Sequence, residues 1–268
     1  MNYEEKCIRC NDSTLFEYFH NETSLSLKDK HVFDRSISEA FDNNLFLNEL
    51  LNVKKRKFKN NENKINLDNF MEDIEIEKIF SKRKSCRVFK NQIIDIGIFS
   101  GIFKMGYSMN RDNRITIPSA GGLYPIKLMV IVNNISEIDS GIYEYDPINC
   151  SLYPLSKMFA MQDYKKITSS GTLTENAAFS IHFLGDPRLT CYKYQDRGYR
   201  FLNIECGHIA QNISLASTYL NVGSICSGGF LDGQFIDFLD SKLGIDYSPY
   251  LYLYEMFFGY ESEVHSTV

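Results

Sequence analysis

The sequence predicts an α+β fold in which a central mixed or antiparallel sheet is flanked by long apolar helices. Short runs with strand character, such as 127–133 and 178–184, alternate with longer segments of helical periodicity, above all 200–220. The apolar positions of these helices are too many for isolated surface helices, which indicates layers packed on a sheet. The chain has 268 residues, enough for one large domain or for one domain with an extension.

The regular pattern begins near residue 71, and turn residues separate its elements. Proline ends one predicted strand at Pro147, and the sequence Asn110–Asn113 reads as a polar turn. The helices are predicted over 74–80, 94–107, 200–220 and 235–243. The strands are predicted over 127–133, 141–147, 178–184, 223–226 and 249–258.

The first 70 residues differ from the rest in composition. They are polar and rich in Asn, Lys and Glu, so we interpret 1–70 as an N-terminal extension or small subdomain and 71–268 as the main domain. The charged run Lys54–Lys57 is typical of a solvated linker. Cys7 and Cys10 have a CxxC spacing, but no second pair follows at the spacing of a zinc site. Unpaired thiols are therefore favoured, and no metal site is predicted.

Composition and charge exclude several classes of function. A net charge of −5 argues against a nucleic-acid binder, whose surface is normally basic. The segment Met1–Lys6 does not read as a signal peptide. The most apolar window, 93–103, is short and contains Asp95, so no membrane span is predicted. Seven cysteines without an export signal fit reduced thiols, which predicts a cytoplasmic protein.

The segment from Pro118 to Pro125 reads Pro-Ser-Ala-Gly-Gly-Leu-Tyr-Pro. Prolines at both ends and small residues between them make a rigid loop with thin walls. Such a loop lets backbone amides approach a flat ligand closely, although an ordinary turn before a strand remains an alternative. The small residues are Ser119, Ala120, Gly121 and Gly122.

A compact group of cations precedes this loop. Within the segment Arg83–Phe89, the cationic side chains of Arg83, Lys84 and Arg87 surround the hydroxyl of Ser85. Arginine suits phosphate oxygens and serine adds a neutral donor, so the group is a candidate anion site. The alternative is a solvated charged face.

A third segment places a lysine between two tyrosines. If buried, Lys193 and Tyr194 could transfer protons, because desolvation lowers the pKa of a lysine toward neutrality. The alternative is a loop lysine paired with Asp196. His182 and His208 are interpreted as core histidines and not as ligands.

Together these segments resemble the nitroreductase-like flavoprotein family and, within it, the SagB-type azoline dehydrogenases of ribosomal peptide biosynthesis. The resemblance covers about 74–260. Arg83–Phe89 is similar to the family's Arg-x-Ser-x-Arg-x-Phe element, which grips the FMN phosphate and ribityl chain. Pro118–Pro125 is similar to the Pro-Ser-Ala-Gly-Gly/Ala-Leu-Tyr-Pro loop that distinguishes this branch.

Further motifs follow in the same order as in the branch. Lys193 and Tyr194 align with the Lys-Tyr pair of the peptide-azoline enzymes. The turn Ser227-Gly228-Gly229 falls where a backbone amide of the family meets flavin N5. The remaining similar segments are 18–23, 141–147 and 207–212.

The resemblance implies a nitroreductase-like fold and a homodimer with FMN at the subunit interface. Its implied catalytic residues are Lys193 and Tyr194. Its implied cofactor-binding residues are Arg83, Lys84, Ser85, Arg87, Pro118, Ser119, Ala120, Gly121, Gly122, Ser227, Gly228 and Gly229.

The implied reaction is the oxidation of thiazoline or oxazoline rings to thiazole or oxazole in a ribosomally made peptide. The implied partners are cyclodehydratase subunits, which form the rings, and the precursor peptide. Two alternatives stay open: an NAD(P)H-dependent nitro or quinone reductase, and a non-catalytic, flavin-bound scaffold subunit of a peptide-modifying complex.

Overall fold

A computed structural model of the chain describes residues 15–53, 74–156 and 161–263. Six strands form its centre: β1 (Ile126–Val132), β2 (Gly141–Asp146), β3 (Ser151–Ser156), β4 (Phe179–Gly185), β5 (Gly223–Ser227) and β6 (Leu251–Gly259). They lie in the order β3-β2-β1-β4-β6-β5, and every neighbouring pair is antiparallel. The predicted α+β class is confirmed, with the sheet antiparallel.

Helices precede, connect and cover the strands. They are α1 (Leu15–Thr23), α2 (Lys30–Asp42), α3 (Asn44–Val53), α4 (Ile74–Lys82), α5 (Ile96–Gly106), α6 (Met161–Tyr164), α7 (Pro187–Tyr194), α8 (Arg197–Tyr219) and α9 (Asp232–Leu243). Single 3-10 turns occur at Ala120–Gly122 and Lys165–Ile167.

The central strands are buried on both faces, which explains their continuous apolar sequence. Every residue of β4 is buried, and only Lys127 of β1 is partly exposed. Alternate residues of β1 enter different clusters: Val130 joins the cluster under α5 and α8, and Met129 joins the cluster under α9. The sheet is therefore a middle layer with helices on both sides.

The long helix α8 packs closely against α5 and against the sheet. A Cβ on Gly106 of α5 would lie 2.7 Å from Cγ1 of Ile213 of α8, so glycine allows the two helices to touch. Asp95 begins α5 by accepting a hydrogen bond from the Gly97 N–H at 2.7 Å. These contacts fix the position of α8, whose 23 residues run past both halves of the site described below.

Six elements are absent from the sequence prediction: the helices α1, α2 and α3 of the N-terminal region, the short helix α6, the helix α7 and the strand β3. The strand β3 was not predicted because it lies at the sheet edge, is half-exposed and contains Pro154, all of which weaken a strand pattern. The helix α7 was not predicted because it has only eight residues and begins without an apolar repeat. Asp186 caps it and Pro187 occupies its first turn, a combination typical of a helix start.

Several features expected from the sequence lie in ranges that the structure does not describe, and two others can be examined only among the described residues. The CxxC at 7–10, the N-terminal segment 1–6 and the charged run 54–57 belong to ranges that the structure does not describe. Among the described residues, no helix combines the length and apolar character needed to cross a bilayer. In the same ranges none of the five cysteines forms a disulfide; they are Cys86, Cys150, Cys191, Cys206 and Cys226.

Replacing Phe179 by Ala tests the packing of the sheet under α5. The Phe179 ring is fully buried, stacks on Phe258 with centroids 4.3 Å apart and meets the Phe99 ring edge-on at 4.9 Å. We expect Phe179→Ala to lower the free energy of unfolding by about 3–5 kcal/mol in denaturant titrations. Tyr153→Ala, at a 52% exposed position of β3, is the control and should cost less than about 1 kcal/mol. Equal losses for the two variants would contradict the assigned core.

Candidate functional site

The segment 83–89 lies along the sheet edge formed by β5. Ser85 pairs with Ser224, and the N–H of Cys86 donates to the Ser224 carbonyl at 3.0 Å. The Cys86 side chain is buried, and a Cβ on Gly223 would lie 2.8 Å from its sulfur. Glycine at 223 therefore allows the segment to lie directly on β5.

The segment exposes two arginines and a hydroxyl, while its Cys86 is buried. The exposed residues are Arg83, Ser85 and Arg87, and neither arginine forms an ion pair with a described residue. Lys84 differs, because its Nζ lies 2.7 Å from Glu261, which raises the pKa of Lys84. The two guanidinium groups and Ser85 suit a phosphate-like anion.

The loop 118–125 is closed by its own serine. The Gly122 N–H donates to the Ser119 carbonyl at 3.1 Å, and the Tyr124 N–H donates to Ser119 Oγ at 2.9 Å. Gly121 and Gly122 have φ values of 65° and 67°, in the left-handed region that glycine adopts without strain. The predicted small-residue loop is therefore a tight turn with its glycines exposed.

The candidate catalytic pair contacts this loop. A Cβ on Gly121 would lie 2.5 Å from Lys193 Nζ and 2.6 Å from the Tyr194 hydroxyl, so both side-chain ends rest against the glycine. Lys193 and Tyr194 belong to the last turn of α7 and are far from the loop in sequence. The fold thus brings the loop and the Lys-Tyr pair together.

Lys193 is exposed within one chain, so this chain alone does not provide the burial that the predicted proton transfer requires. The alternative pairing with Asp196 is also not found among the described residues. Instead, Lys193 Nζ lies 5.3 Å from the centroid of the Tyr194 ring. That ring packs edge-on against Phe201 at 4.9 Å, which fixes its orientation.

A buried carboxylate lies beneath the loop and was not predicted. Glu205 of α8 is 2% exposed and lies near the Ser119 hydroxyl, which lowers the pKa of Glu205 by less than burial raises it. Its Oε1 has no hydrogen-bond partner among the described residues, and burial raises the pKa of Glu205 to about 7. An acidic residue between Leu202 and Cys206, on the buried face of an apolar helix, was the sequence signal.

The turn Ser227–Gly229 follows β5 and is held by a strap, which we define as Thr168–Ser170. The Ser169 N–H donates to the Gly229 carbonyl at 2.7 Å, and the hydroxyls of Ser170 and Ser227 are hydrogen-bonded. A Cβ on Gly229 would lie 2.5 Å from Ser170 Oγ, so only glycine fits there. A Cβ on Gly228 would meet nothing within 4 Å, so this face of the turn is open to a ligand.

A second buried carboxylate lies behind this turn. Glu255 faces Ser227 in the β5–β6 register, is fully buried and accepts hydrogen bonds from the hydroxyls of Tyr164 and Tyr252. Burial raises the pKa of Glu255. His182 completes the network by hydrogen-bonding Tyr252 at 2.6 Å, and burial lowers the pKa of His182 to about 3.

The two histidine interpretations have different outcomes. His182 is a core histidine, as predicted, with hydrogen bonds from both ring nitrogens to Ser180 and Tyr252. His208 is exposed on α8, so its interpretation as a core histidine is wrong. Periodicity failed there because the face of α8 that carries His208 is uncovered within one chain.

The helix α8 separates the two halves of the site. Ser217 Oγ donates to Ser224 Oγ at 3.1 Å, and Ser224 pairs with Ser85, which places this part of the anion-binding segment near the C-terminal part of α8. Ser119 lies near Glu205 instead. Glu205 and Ser217 are 12 residues apart in α8, which is about 18 Å along the helix axis. Within one chain, the loop and the anion-binding segment therefore lie beside well-separated parts of α8.

A large groove adjoins the loop 118–125 and the start of α7. It has a volume of about 1110 Å³, and its walls include Pro118, Tyr124, Lys127, Glu144 and Tyr250. This volume is above the range of about 300–1,000 Å³ that is usual for small-ligand sites. The described residues contain no group of three His, Cys, Asp or Glu side chains able to hold a metal ion.

Comparison with known proteins assigns the chain to a family. Residues 80–260 match the Nitroreductase family. A Methanocaldococcus jannaschii protein whose name places it with the nitroreductases is 27% identical over 173 residues, which cover 64% of this chain and 87% of that protein. The chain belongs to the Nitroreductase family, a family of flavoprotein oxidoreductases.

Two solved structures share the fold. One is a nitroreductase-type protein of Anabaena variabilis, with a TM-score of 0.60 and 23% identity over 70% of this chain. The chain spans only 38% of that longer protein. The other is a chain of the Escherichia coli microcin synthetase McbBCD complex with truncated pro-MccB17 bound. Its TM-score is 0.60 and its identity 21%, over 78% of this chain and 86% of that one.

Replacing Glu205 by Gln tests the buried carboxylate. The folded-state pKa of Glu205 is raised, so the folded protein binds the proton more tightly than the unfolded chain does. The stabilisation of the folded protein by this tightly bound proton is complete below the unfolded-state pKa of Glu205, and it is lost as the pH rises to about 7. The unfolding free energy of Glu205→Gln relative to the parent should therefore rise by about 1–2 kcal/mol between pH 5 and pH 8. Urea titrations measure it, with the exposed Glu137→Gln as control, and a pH-independent difference would contradict the assignment.

Proposed function

We propose that this protein is an FMN-dependent dehydrogenase that oxidises thiazoline or oxazoline rings of a ribosomally made peptide to thiazole or oxazole. One observation supports the proposal above the others. Lys193 and Tyr194, the pair that resembles the azoline branch, lie against Gly121 of the loop that resembles the same branch. An accidental match of two short motifs gives no reason for them to meet in space.

The described residues fit FMN. Arg83, Ser85 and Arg87 present unpaired cations and a hydroxyl that would hold the phosphate. The open face at Gly228 would let a backbone amide approach the flavin ring. Members of the family commonly bind FMN. When bound, FMN supplies the acceptor for two electrons, and dioxygen is the proposed final oxidant.

The separation along α8 supports a homodimer. The phosphate-binding segment lies beside Ser217 of α8, and the loop with Lys193 lies beside Glu205, about 18 Å away along the helix axis. A flavin that touches both sets is best accommodated between two chains, one contributing each set. The exposed face of α8, which includes Ile204, Gly207, His208 and Tyr219, is available for such a contact. The open space at Gly207 would admit another helix closely.

The chemistry of the ring assigns distinct tasks to Lys193 and Tyr194. Aromatisation of an azoline removes two protons and two electrons, and one proton leaves a ring carbon as H⁺. Lys193 takes that proton, and Tyr194, held by Phe201, orients the amine and donates a hydrogen bond to the ring. A neutral lysine is needed for this step. A second chain and the substrate would cover the exposed Nζ, and removal from water favours the neutral amine.

A peptide substrate suits the groove beside the loop. Its volume exceeds that of usual small-ligand sites, and its tyrosines and prolines offer the apolar contacts that a peptide segment needs. The fold shared with a chain of the microcin synthetase complex supports cyclodehydratase subunits as partners. The precursor peptide is the other proposed partner.

The rival function is an NAD(P)H-dependent nitro or quinone reductase. The name of the archaeal relative, which shares 27% identity, favours it. NADPH-dependent reduction of a nitroaromatic compound without azoline oxidation would establish the rival. Unchanged azole formation by a complex whose flavin site has been destroyed would instead establish a scaffold role.

Removing the Lys-Tyr pair tests the catalytic assignment. We expect Lys193→Ala and Tyr194→Ala to retain FMN and to lower the rate of azoline oxidation by about 10²- to 10⁴-fold, the usual contribution of a positioned acid or base. The visible spectrum measures bound flavin, and mass spectrometry measures the loss of two hydrogens from the peptide. Lys242→Ala, in the last turn of α9, is the control and should keep the parent rate. Parent rates in both test variants would refute the assignment.

Removing the unpaired arginines tests the phosphate site. We expect Arg83→Ala and Arg87→Ala each to raise the Kd of FMN by about tenfold or more, because each loses a charge-assisted hydrogen bond. Riboflavin, which has no phosphate, should bind the variants and the parent alike. Lys82→Ala removes a neighbouring exposed cation, and Lys84→Ala removes one already paired with Glu261, so both should have smaller effects. Equal losses for FMN and riboflavin would contradict a phosphate site.

A further inference from the structure

The residues 15–42, which we call the arm, lie outside the part of the chain that matches the family. The arm consists of α1, a short turn and α2. Neither helix has a buried residue, so the arm adds little to the apolar core. Its contacts with the main domain are few, and three of them involve the elements that carry the candidate site.

The first contact is with the start of α8. The Phe16 ring stacks on Tyr199 with centroids 6.1 Å apart, and His20 Nδ1 lies 3.3 Å from the Tyr199 hydroxyl. Tyr199 belongs to the first turn of α8, directly after the helix that ends in Lys193 and Tyr194. The arm therefore packs where the two helices meet.

The second contact is with the start of α9. The Leu25 N–H donates to Asp232 Oδ2 at 3.0 Å. Asp232 is the first residue of α9 and follows Gly229 by three residues. Its side chain is largely buried, so the hydrogen bond from the arm compensates an otherwise costly carboxylate.

The third contact connects α2 with the Ser227–Gly229 turn. Asp34 Oδ1 accepts a hydrogen bond from the Ser169 hydroxyl at 2.5 Å. The N–H of the same Ser169 donates to the Gly229 carbonyl at 2.7 Å. Asp34 thus contacts the turn through one intervening residue, Ser169, and among the described residues of α2 it alone hydrogen-bonds the strap.

We propose that the arm helps to order the candidate site, and that Asp34 is a positioning residue that holds the Ser227–Gly229 turn through Ser169. The arm joins α8 to the turn, and so connects the Lys-Tyr end of the site with the proposed flavin end. The part of this inference that concerns flavin rests on the proposed function. The part that concerns the order of the turn stands on the hydrogen bonds alone.

Three variants of the full-length protein separate the role of Asp34 from its other contact. Asp34 also lies 3.6 Å from Lys30, so Asp34→Ala removes both an ion pair and the bond to Ser169. Lys30→Gln removes only the ion pair and is the matched control. Asp34→Asn keeps an oxygen that can accept from Ser169 and should rescue the loss.

Hydrogen exchange in the absence of FMN measures the order of the turn. We expect Asp34→Ala to speed exchange in peptides that cover 168–171 and 227–231 by about three- to tenfold. Asp34→Asn and Lys30→Gln should exchange like the parent. If Asp34→Ala leaves both peptides unchanged, or if Lys30→Gln alters them equally, the positioning role is refuted.

The affinity for FMN, titrated well below the thermal transition, gives the second readout. We expect Asp34→Ala to raise the Kd of FMN by about three- to tenfold, and the two other variants to bind like the parent. A lower Tm with an unchanged Kd would show that Asp34 is only structural, and it would overturn the proposal. A parent that binds no FMN would instead defeat the proposed function, while the exchange experiment would still decide the role of Asp34.

Discussion

The placement of α8 is the constraint on which the candidate site depends. The helix is fixed by its close contact with α5, where Gly106 meets Ile213, and by the burial of its apolar face on the sheet. It carries Glu205, in its N-terminal half, under the 118–125 loop, and Ser217, near its C-terminus, beside β5. Because the rise per residue of a helix is fixed, these two residues lie about 18 Å apart along the helix axis within one chain. This separation is the basis of the proposed homodimer.

Both halves have a buried carboxylate behind them. Glu205 lies behind the loop, and Glu255 lies behind the turn, and burial raises the pKa of each. Buried acids without full hydrogen bonding cost stability, so such groups are expected where function requires them. Here each carboxylate contacts or faces the serine that shapes the exposed backbone, Ser119 in one case and Ser227 in the other. The buried carboxylates and the serines beside them therefore help to fix the backbone conformation of the exposed loop and turn.

The sequence predicted the strands of the main domain and most of its helices because their apolar periodicity is long and regular. Periodicity could not predict β3, an edge strand with a proline, or α7, whose helical signal is a cap and not a repeat. It also assigned His208 to the core, because the periodicity of α8 does not distinguish a helix face that is covered within the chain from one that is exposed.

The site was predicted in part, and the missed residues share a physical cause. Gly121, Lys193 and Tyr194 belong to motifs, and the structure brings them together. The strap at 168–170 and the link to Asp34 depend on contacts between segments far apart in sequence. No local pattern marks a serine that will meet a glycine carbonyl, so these residues could be found only from the fold.

Subunit complementation tests most directly whether two chains complete one site. One chain carries Arg83→Ala and Arg87→Ala, the other carries Lys193→Ala and Tyr194→Ala, and the two are co-expressed with different tags and purified as a mixed dimer. A shared site predicts one intact site per mixed dimer, and therefore about half of the parent rate of azoline oxidation. Activity no higher than that of the two homodimeric variants would show that both sets of residues serve a site within one chain, and it would contradict the account.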